Sequence, residues 1–222
     1  MDFIRENVQQ VQKRIEGACE RSGRSPDEIT LVAVTKTVNA ATITSAYEHG
    51  IRHFGENRVQ EAEKKIEELA ALRQSVTWHM IGHVQTNKVK PVTRLFNIVQ
   101  SVDSMKLATG LDMHTQKTLP VLVQVNVSGE TTKSGFSIDQ VNIAISEMNR
   151  LPNLDIKGLM TIAPWTDNED EVRSVFRTLR ELRDKLGLEH LSMGMTDDYE
   201  IAIEEGATIV RIGRAIFGKR RI

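Results

Sequence analysis

The sequence predicts an α/β fold of one kind: a single (β/α)8 TIM barrel with an extra N-terminal helix. Apolar runs of strand length alternate with segments whose apolar residues recur at helical spacing, which is the rhythm of βα units. Eight such runs can be counted along the chain. No Pro-, Gly- or Ser-rich linker divides the 222 residues, 40% of them hydrophobic, so residues 1–222 are expected to form one domain around a sizeable core. At roughly 27 residues per unit the chain lies near the short end of what such barrels need, which leaves little room for insertions.

The first element is a helix, because Ile4, Val8, Val11, Ile15 and Ala18 fall on one stripe that ends at Gly23. Cys19 has no second cysteine to pair with and reads as a small packing residue beside Ile15 and Ala18. Ser25 and Pro26 read as a helix cap and first helical position. The eight strand candidates follow: LVAVTK ending at Lys36, RHFG at Gly55, VTWHMIG at Gly82, FNIVQ at Gln100, LPVLVQVNV at Val127, LDIKGLM at Met160, EHLSMG at Gly194 and TIVRIG at Gly213. Helical stripes lie between them, such as Val59, Ala62, Ile66 and Leu69 in the second unit. In the sixth unit the stripe runs through Val172, Val175, Phe176, Leu179, Leu182 and Leu186.

Composition removes several classes of partner. Twenty-nine basic against 30 acidic residues give a net charge of -1, which offers no electrostatic footprint for nucleic acid or an anionic membrane. The terminal GKRRI is too short to change that. The opening MDFIRENVQQ has no apolar signal-peptide core and no stretch approaches 18 apolar residues, so a cytoplasmic chain is expected.

Lys36 ends an apolar run. A lysine held at the mouth of an apolar core can lose its proton, because desolvation disfavours the ammonium, and the free amine can then form a Schiff base with a carbonyl. The plainer reading is a solvated strand flank. In a barrel, phosphate is frequently held after strands 7 and 8. Those loops here are SMGMTDD, where Ser192 and Thr196 flank Gly194, and RIGRAIFG, where Gly213 lets the backbone approach an anion closely. Two such loops facing a strand-ending lysine describe a ligand with both a phosphate and an aldehyde. His79 and His83 are four apart on a strand running into a loop, without the shared helical face that a metal pair needs, and no metal is assigned. His83 reads either as part of the ligand mouth or as a polar loop residue. Glu56 and Arg58 read as a pair fixing the loop around Asn57, or as a surface salt bridge. Lys133, in the loop after the fifth strand, reads as part of a mobile lid or as a solvated charge.

Seven segments carry a resemblance. They are VAVTKT around Lys36, HFGENRVQE from His53, WHMIGHVQTNKVK from Trp78, NVSGETTKSGF from Asn126, GLMTI from Gly158, LSMGMTDDYEIAI from Leu191 and VRIGRAIFG from Val210. In that order they resemble the pyridoxal phosphate homeostasis proteins, single-domain relatives of the barrel domains of alanine racemase and the eukaryotic-type ornithine decarboxylases. The resemblance implies pyridoxal 5'-phosphate (PLP) bound as a Schiff base on Lys36. It also implies phosphate held by Ser192, Thr196 and the backbone around Gly213, Arg211 facing the pyridine nitrogen, and Asn57 close to the ring.

A permanently charged arginine at that nitrogen makes the ring a weak electron sink. Racemases of this architecture add a second acid/base residue from a C-terminal β domain across a dimer interface, whereas this sequence stops at Ile222. Its only tyrosines, Tyr47 and Tyr199, fall in predicted helices. The expectation is a monomer that buffers PLP or delivers it to apo PLP-dependent enzymes without turnover. The alternatives are an amino-acid racemase or decarboxylase, and a lysine-dependent aldolase acting on a sugar phosphate.

Overall fold

The computed structural model describes residues 3–218, so the basic run after Gly218 lies outside the described residues. Helix α1 (Phe3–Ser22) comes first. The expected cap at Ser25 is present, with Glu28 completing a capping box, but it opens only a 3-10 turn, Pro26–Glu28, before the chain enters a strand. The βα units follow in order: β1 (Thr30–Val34) and α2 (Ala40–Glu48), β2 (His53–Glu56) and α3 (Val59–Glu68), β3 (Thr77–Met80) and α4 (Val89–Leu95), β4 (Ile98–Val102) and α5 (Met105–His114). The second half holds β5 (Leu119–Gln124) and α6 (Ile138–Met148), β6 (Leu154–Met160) and α7 (Glu169–Leu186), β7 (His190–Ser192) and α8 (Tyr199–Glu204), β8 (Ile209–Ile212) and α9 (Arg214–Phe217). All neighbouring strands pair in parallel, and the barrel closes where β1 meets β8 with Thr30 opposite Ile209 and Ala33 opposite Ile212.

Several strands stop short of their apolar runs. β1 ends at Val34 rather than Lys36, β3 at Met80 rather than Gly82, and β5 at Gln124 rather than Val127. After β1 the chain leaves the ladder: Thr35 N–H still donates to Gly55 O, and Val38 N–H then turns back to Thr35 O. Lys36 therefore sits on a turn at the C-terminal mouth, where barrels place their ligands.

The larger apolar layer lies between the outer face of the sheet and the helices, with Phe54, Trp78, Phe96 and Phe176 fully buried in it. A separate cluster of four, Val32, Leu122, Met160 and Ile209, packs together apart from it. Helix α7 shows how sequence sets an element's limits. The Asn168 side chain accepts from the N–H groups of Asp170 and Glu171, three acids occupy the first turn, and the helix ends on Gly187 in the left-handed region.

The N-terminal helix is not peripheral. Because α9 has only four residues, α1 packs against α8, α9 and α2 and takes the place of an eighth outer helix. Arg14 and Arg21 pair with Glu200 and Glu204 of α8, and the Asn7 amide donates to Ile216 O at 2.8 Å. No helix among the described residues is long and apolar enough to cross a membrane.

Candidate functional site

Lys36 is flanked by two anchored residues. Thr37 has φ 65°, the one left-handed non-glycine among the described residues. Its N–H donates to Glu61 Oε1 at 2.5 Å. On the other side, Thr35 O accepts from Lys65 Nζ at 2.5 Å and the Thr35 hydroxyl donates to Glu56 Oε1 at 2.6 Å. Lys65 Nζ lies 2.8 Å from Glu56 and 2.6 Å from Glu61, so one buried ion cluster holds both ends of the Lys36 turn. Burial pushes the Glu56 carboxyl up, against the bonds from Lys65 and Thr35. Burial also acts on Glu61, but its bonds from Lys65 and the Thr37 N–H outweigh it and hold that carboxyl down. The expected Glu56–Arg58 pair is thereby corrected. Glu56 is buried with no exposure beneath α3 and its partner there is Lys65, because a carboxylate buried at a strand end needs a cation that can follow it inside.

A cleft of about 470 Å³ opens beside this turn. It is lined by Lys36, Thr37, Asn39 and Thr42 from the first unit together with Gly213, Arg214 and Phe217 from the last. Thr196 lies half-buried in the turn before α8, and the neighbouring Asp197 pairs with Arg214 across the two loops. Gly194 has φ +92°, and a Cβ there would lie 2.6 Å from Ala202 Cβ and 2.9 Å from Tyr199 Cα. A second cavity, about 260 Å³, is lined by Asn57, His83, Asn126 and Lys133 among others. Asn57 Oδ1 is buried without a partner among the described residues, and its backbone is approached so closely that a Cβ on Gly82 would lie 2.3 Å from Asn57 O. His83 thus lines the mouth and bonds Asp103 at 2.7 Å. Lys133 is a strap: its Nζ bonds Glu130 and the carbonyls of Ile162 and Ala163, tying the loop after β5 to the loop after β6.

Arg211 lies inside the barrel, 4% exposed. It donates to Ser192 Oγ at 2.5 Å and to Thr161 O at 2.8 Å. Burial pulls its guanidinium down to about 10, partly offset by Asp198, so it stays cationic at neutral pH. Ser192 was expected beside Thr196 and Gly213 at the phosphate. Its hydroxyl is instead fully buried, within bonding distance of Arg211 and of Gln100 Oε1 at 2.6 Å, because it is the last residue of β7 and not part of the loop beyond. Gln100 Nε2 lies 2.8 Å from His79 Nδ1, and His79 Nε2 lies 3.0 Å from His53 Nδ1. Burial, and then the neighbouring His53, pull His79 down to about 3.

The structure therefore brings Lys36 and Gly213 to one cleft, puts Asn57 on the second cavity and sets Ser192 against Arg211. Lys65, Gln100 and His53 were missed as site residues. A glutamine closing the apolar run FNIVQ was the available signal for an inward polar group; Lys65 gave none, since nothing in a helix full of lysines and glutamates distinguishes it.

Comparison with known proteins places the chain in a family and agrees with the fold. Residues 1–221 match the family described as alanine racemase, N-terminal domain. The pyridoxal phosphate homeostasis protein of Aquifex aeolicus is 44% identical over 225 residues, covering 97% of this chain and 98% of that one. That of Pseudomonas aeruginosa is 45% identical, covering 99% and 97%. Among solved structures, PipY of Synechococcus elongatus PCC7942 with PLP bound superposes with a TM-score of 0.85 at 33% identity, over 97% of this chain and all of that one.

Proposed function

From the premise that this chain belongs to the alanine racemase N-terminal domain family and is a relative of the pyridoxal phosphate homeostasis proteins, we propose that it binds PLP and serves in its intracellular homeostasis. The observation that carries this reading is the larger cleft, which Lys36, Gly213 and Arg214 line together. Its volume falls within the range of small-molecule sites. The donor set also suits an aldehyde that carries a dianion, with Lys36 as covalent attachment point and Gly213 and Arg214 at the phosphate; Thr196, in the neighbouring turn and outside the lining of the cleft, would approach the same phosphate.

When bound, the cofactor supplies an aldehyde that links reversibly to an amine and a phosphate that anchors it. Lys36, fixed by its braced turn, presents the amine. Arg211, held by Ser192 and Thr161, would offer a fixed positive charge to the pyridine nitrogen. Asn57, with a buried oxygen lacking a donor, borders the ring. Ser192 positions Arg211.

The chain buffers or delivers the cofactor instead of turning over a substrate. Neither tyrosine lines the larger cleft: Tyr199 is fully buried with Arg14 5.2 Å from its ring centroid, and Tyr47 lies under Arg52. The expected setting is the cytoplasm, with a monomer passing PLP to apo PLP-dependent enzymes.

The test is the visible spectrum of the purified protein before and after borohydride, followed by peptide mapping. A band that bleaches and leaves a pyridoxyl group on Lys36, absent from Lys36→Ala, is expected. A colourless protein that takes up no added PLP, or a label on another lysine, overturns the assignment.

A further inference from the structure

Five side chains inside the barrel form one continuous hydrogen-bonded series from Arg211 to His53, and the chemistry of the first member fixes the direction of all the others. A guanidinium has donors only. Ser192 Oγ must therefore accept from Arg211, which leaves its single hydrogen for Gln100 Oε1, 2.6 Å away. With its oxygen so engaged, the Gln100 amide presents its NH2 to His79 Nδ1 at 2.8 Å, and that nitrogen must be bare. A neutral His79 then carries its proton on Nε2 and donates it to His53 Nδ1 at 3.0 Å, which must be bare as well.

Reversing any link shows why the direction matters. With the Gln100 amide turned round, Ser192 Oγ would face two donors and its own hydrogen would have no acceptor in this series. In a buried site such an unsatisfied group is disfavoured. Arg211, Ser192, Gln100 and His79 are each at most 4% exposed, so bulk solvent does not reach them to replace a missing partner.

We propose that Gln100 and His79 are positioning residues for Arg211, acting through Ser192 in a one-way hydrogen-bond relay whose far end is the bare Nδ1 of His53. The functional part of this rests on the reading of Arg211 as the group at the cofactor's pyridine nitrogen; the relay itself does not. Its role is to hold a buried cation in one orientation while the residues that enforce this remain uncharged. The very low pKa of His79 agrees with such a role.

Two measurements test it. Nitrogen-15 imidazole NMR of the cofactor-free protein should find His79 protonated on Nε2 and bare at Nδ1, with coupling across the hydrogen bond to His53 Nδ1. A proton on His79 Nδ1 overturns the relay. Because this uses the unaltered chain, it holds even if a core variant fails to fold.

With PLP loaded, Gln100→Leu should shift the absorption band in the same direction as Arg211→Gln, while borohydride still labels Lys36. A band that moves in Arg211→Gln but not in Gln100→Leu removes the positioning role. A band that stays put in Arg211→Gln takes Arg211 away from the cofactor, and the positioning role with it, while labelling of Lys36 would leave the binding site itself standing.

Discussion

Replacing Lys65 with methionine isolates the ion cluster beneath the Lys36 turn. The side chain is 10% exposed and its Nζ contacts Glu56, Glu61 and Thr35 O, so a methionine fills the stem's volume and removes only the ammonium. Glu56 is then left buried with no cation, a situation that typically costs about 3–5 kcal/mol. Protonation sets a ceiling. A carboxyl with an ordinary pKa of about 4.3 can be neutralised at pH 7 for about 3.7 kcal/mol, at 1.36 kcal/mol per unit. The expected loss is therefore about 3–4 kcal/mol at pH 7.

The sign of the pH dependence follows from the same cluster. In the variant the folded-state pKa of Glu56 lies above its unfolded value, so the folded state binds the extra proton. Stability is greatest below the unfolded pKa and is lost as pH rises toward the raised one. Chemical denaturation of Lys65→Met and the parent chain at pH 5 and pH 7 measures both quantities. The gap between them should be smaller at pH 5 by about 2 kcal/mol. Equal stability at pH 7, or a gap that widens on acidification, would refute the brace.

Gly194→Ala should destabilise by about 2–6 kcal/mol, from a disallowed backbone and a Cβ 2.6 Å from Ala202, read as a lowered thermal midpoint; a change below about 0.5 kcal/mol would mean the loop relaxes freely. Glu205 is buried and faces Arg173, Arg177 and Arg180 at 3.1–3.2 Å. Burial pushes its carboxyl up, but the bonds from Arg177 and Arg173 outweigh this and hold it low, so its stabilisation is present above about pH 4.3 and is lost as pH falls through the lowered value. Glu205→Gln should lose about 1–2 kcal/mol at pH 7, discounted for the partly exposed arginines, and show a shallower acid transition in urea melts; an unchanged acid limb would remove Glu205 from that transition.

The barrel was legible because periodicity records burial, and burial dominates its eight strands. Strand ends were less so: LVAVTK continues its apolar pattern past the point where the backbone turns, and composition does not register the turn that Thr37 makes. At the site, Lys36 and Gly213 could be found because each ends a run at the mouth. Ser192 could be found but not oriented, since a small hydroxyl suits a phosphate loop and a barrel interior equally. The Lys65–Glu56 pair joins residues nine apart whose meeting depends on how α3 lies over β2, and no local pattern encodes that.

The place of α1 in the outer ring has a consequence for the order in which the chain can be completed. Its apolar stripe, Ile4, Val8, Val11 and Ile15, is synthesised well before residues 199–217, to which much of the surface it covers belongs. Synthesis at about 5–20 residues per second leaves that stripe waiting for tens of seconds or less, exposed as a marginal amphipathic helix. When residues 199–217 arrive they dock with α1, so a helix made early becomes the latch for elements made much later.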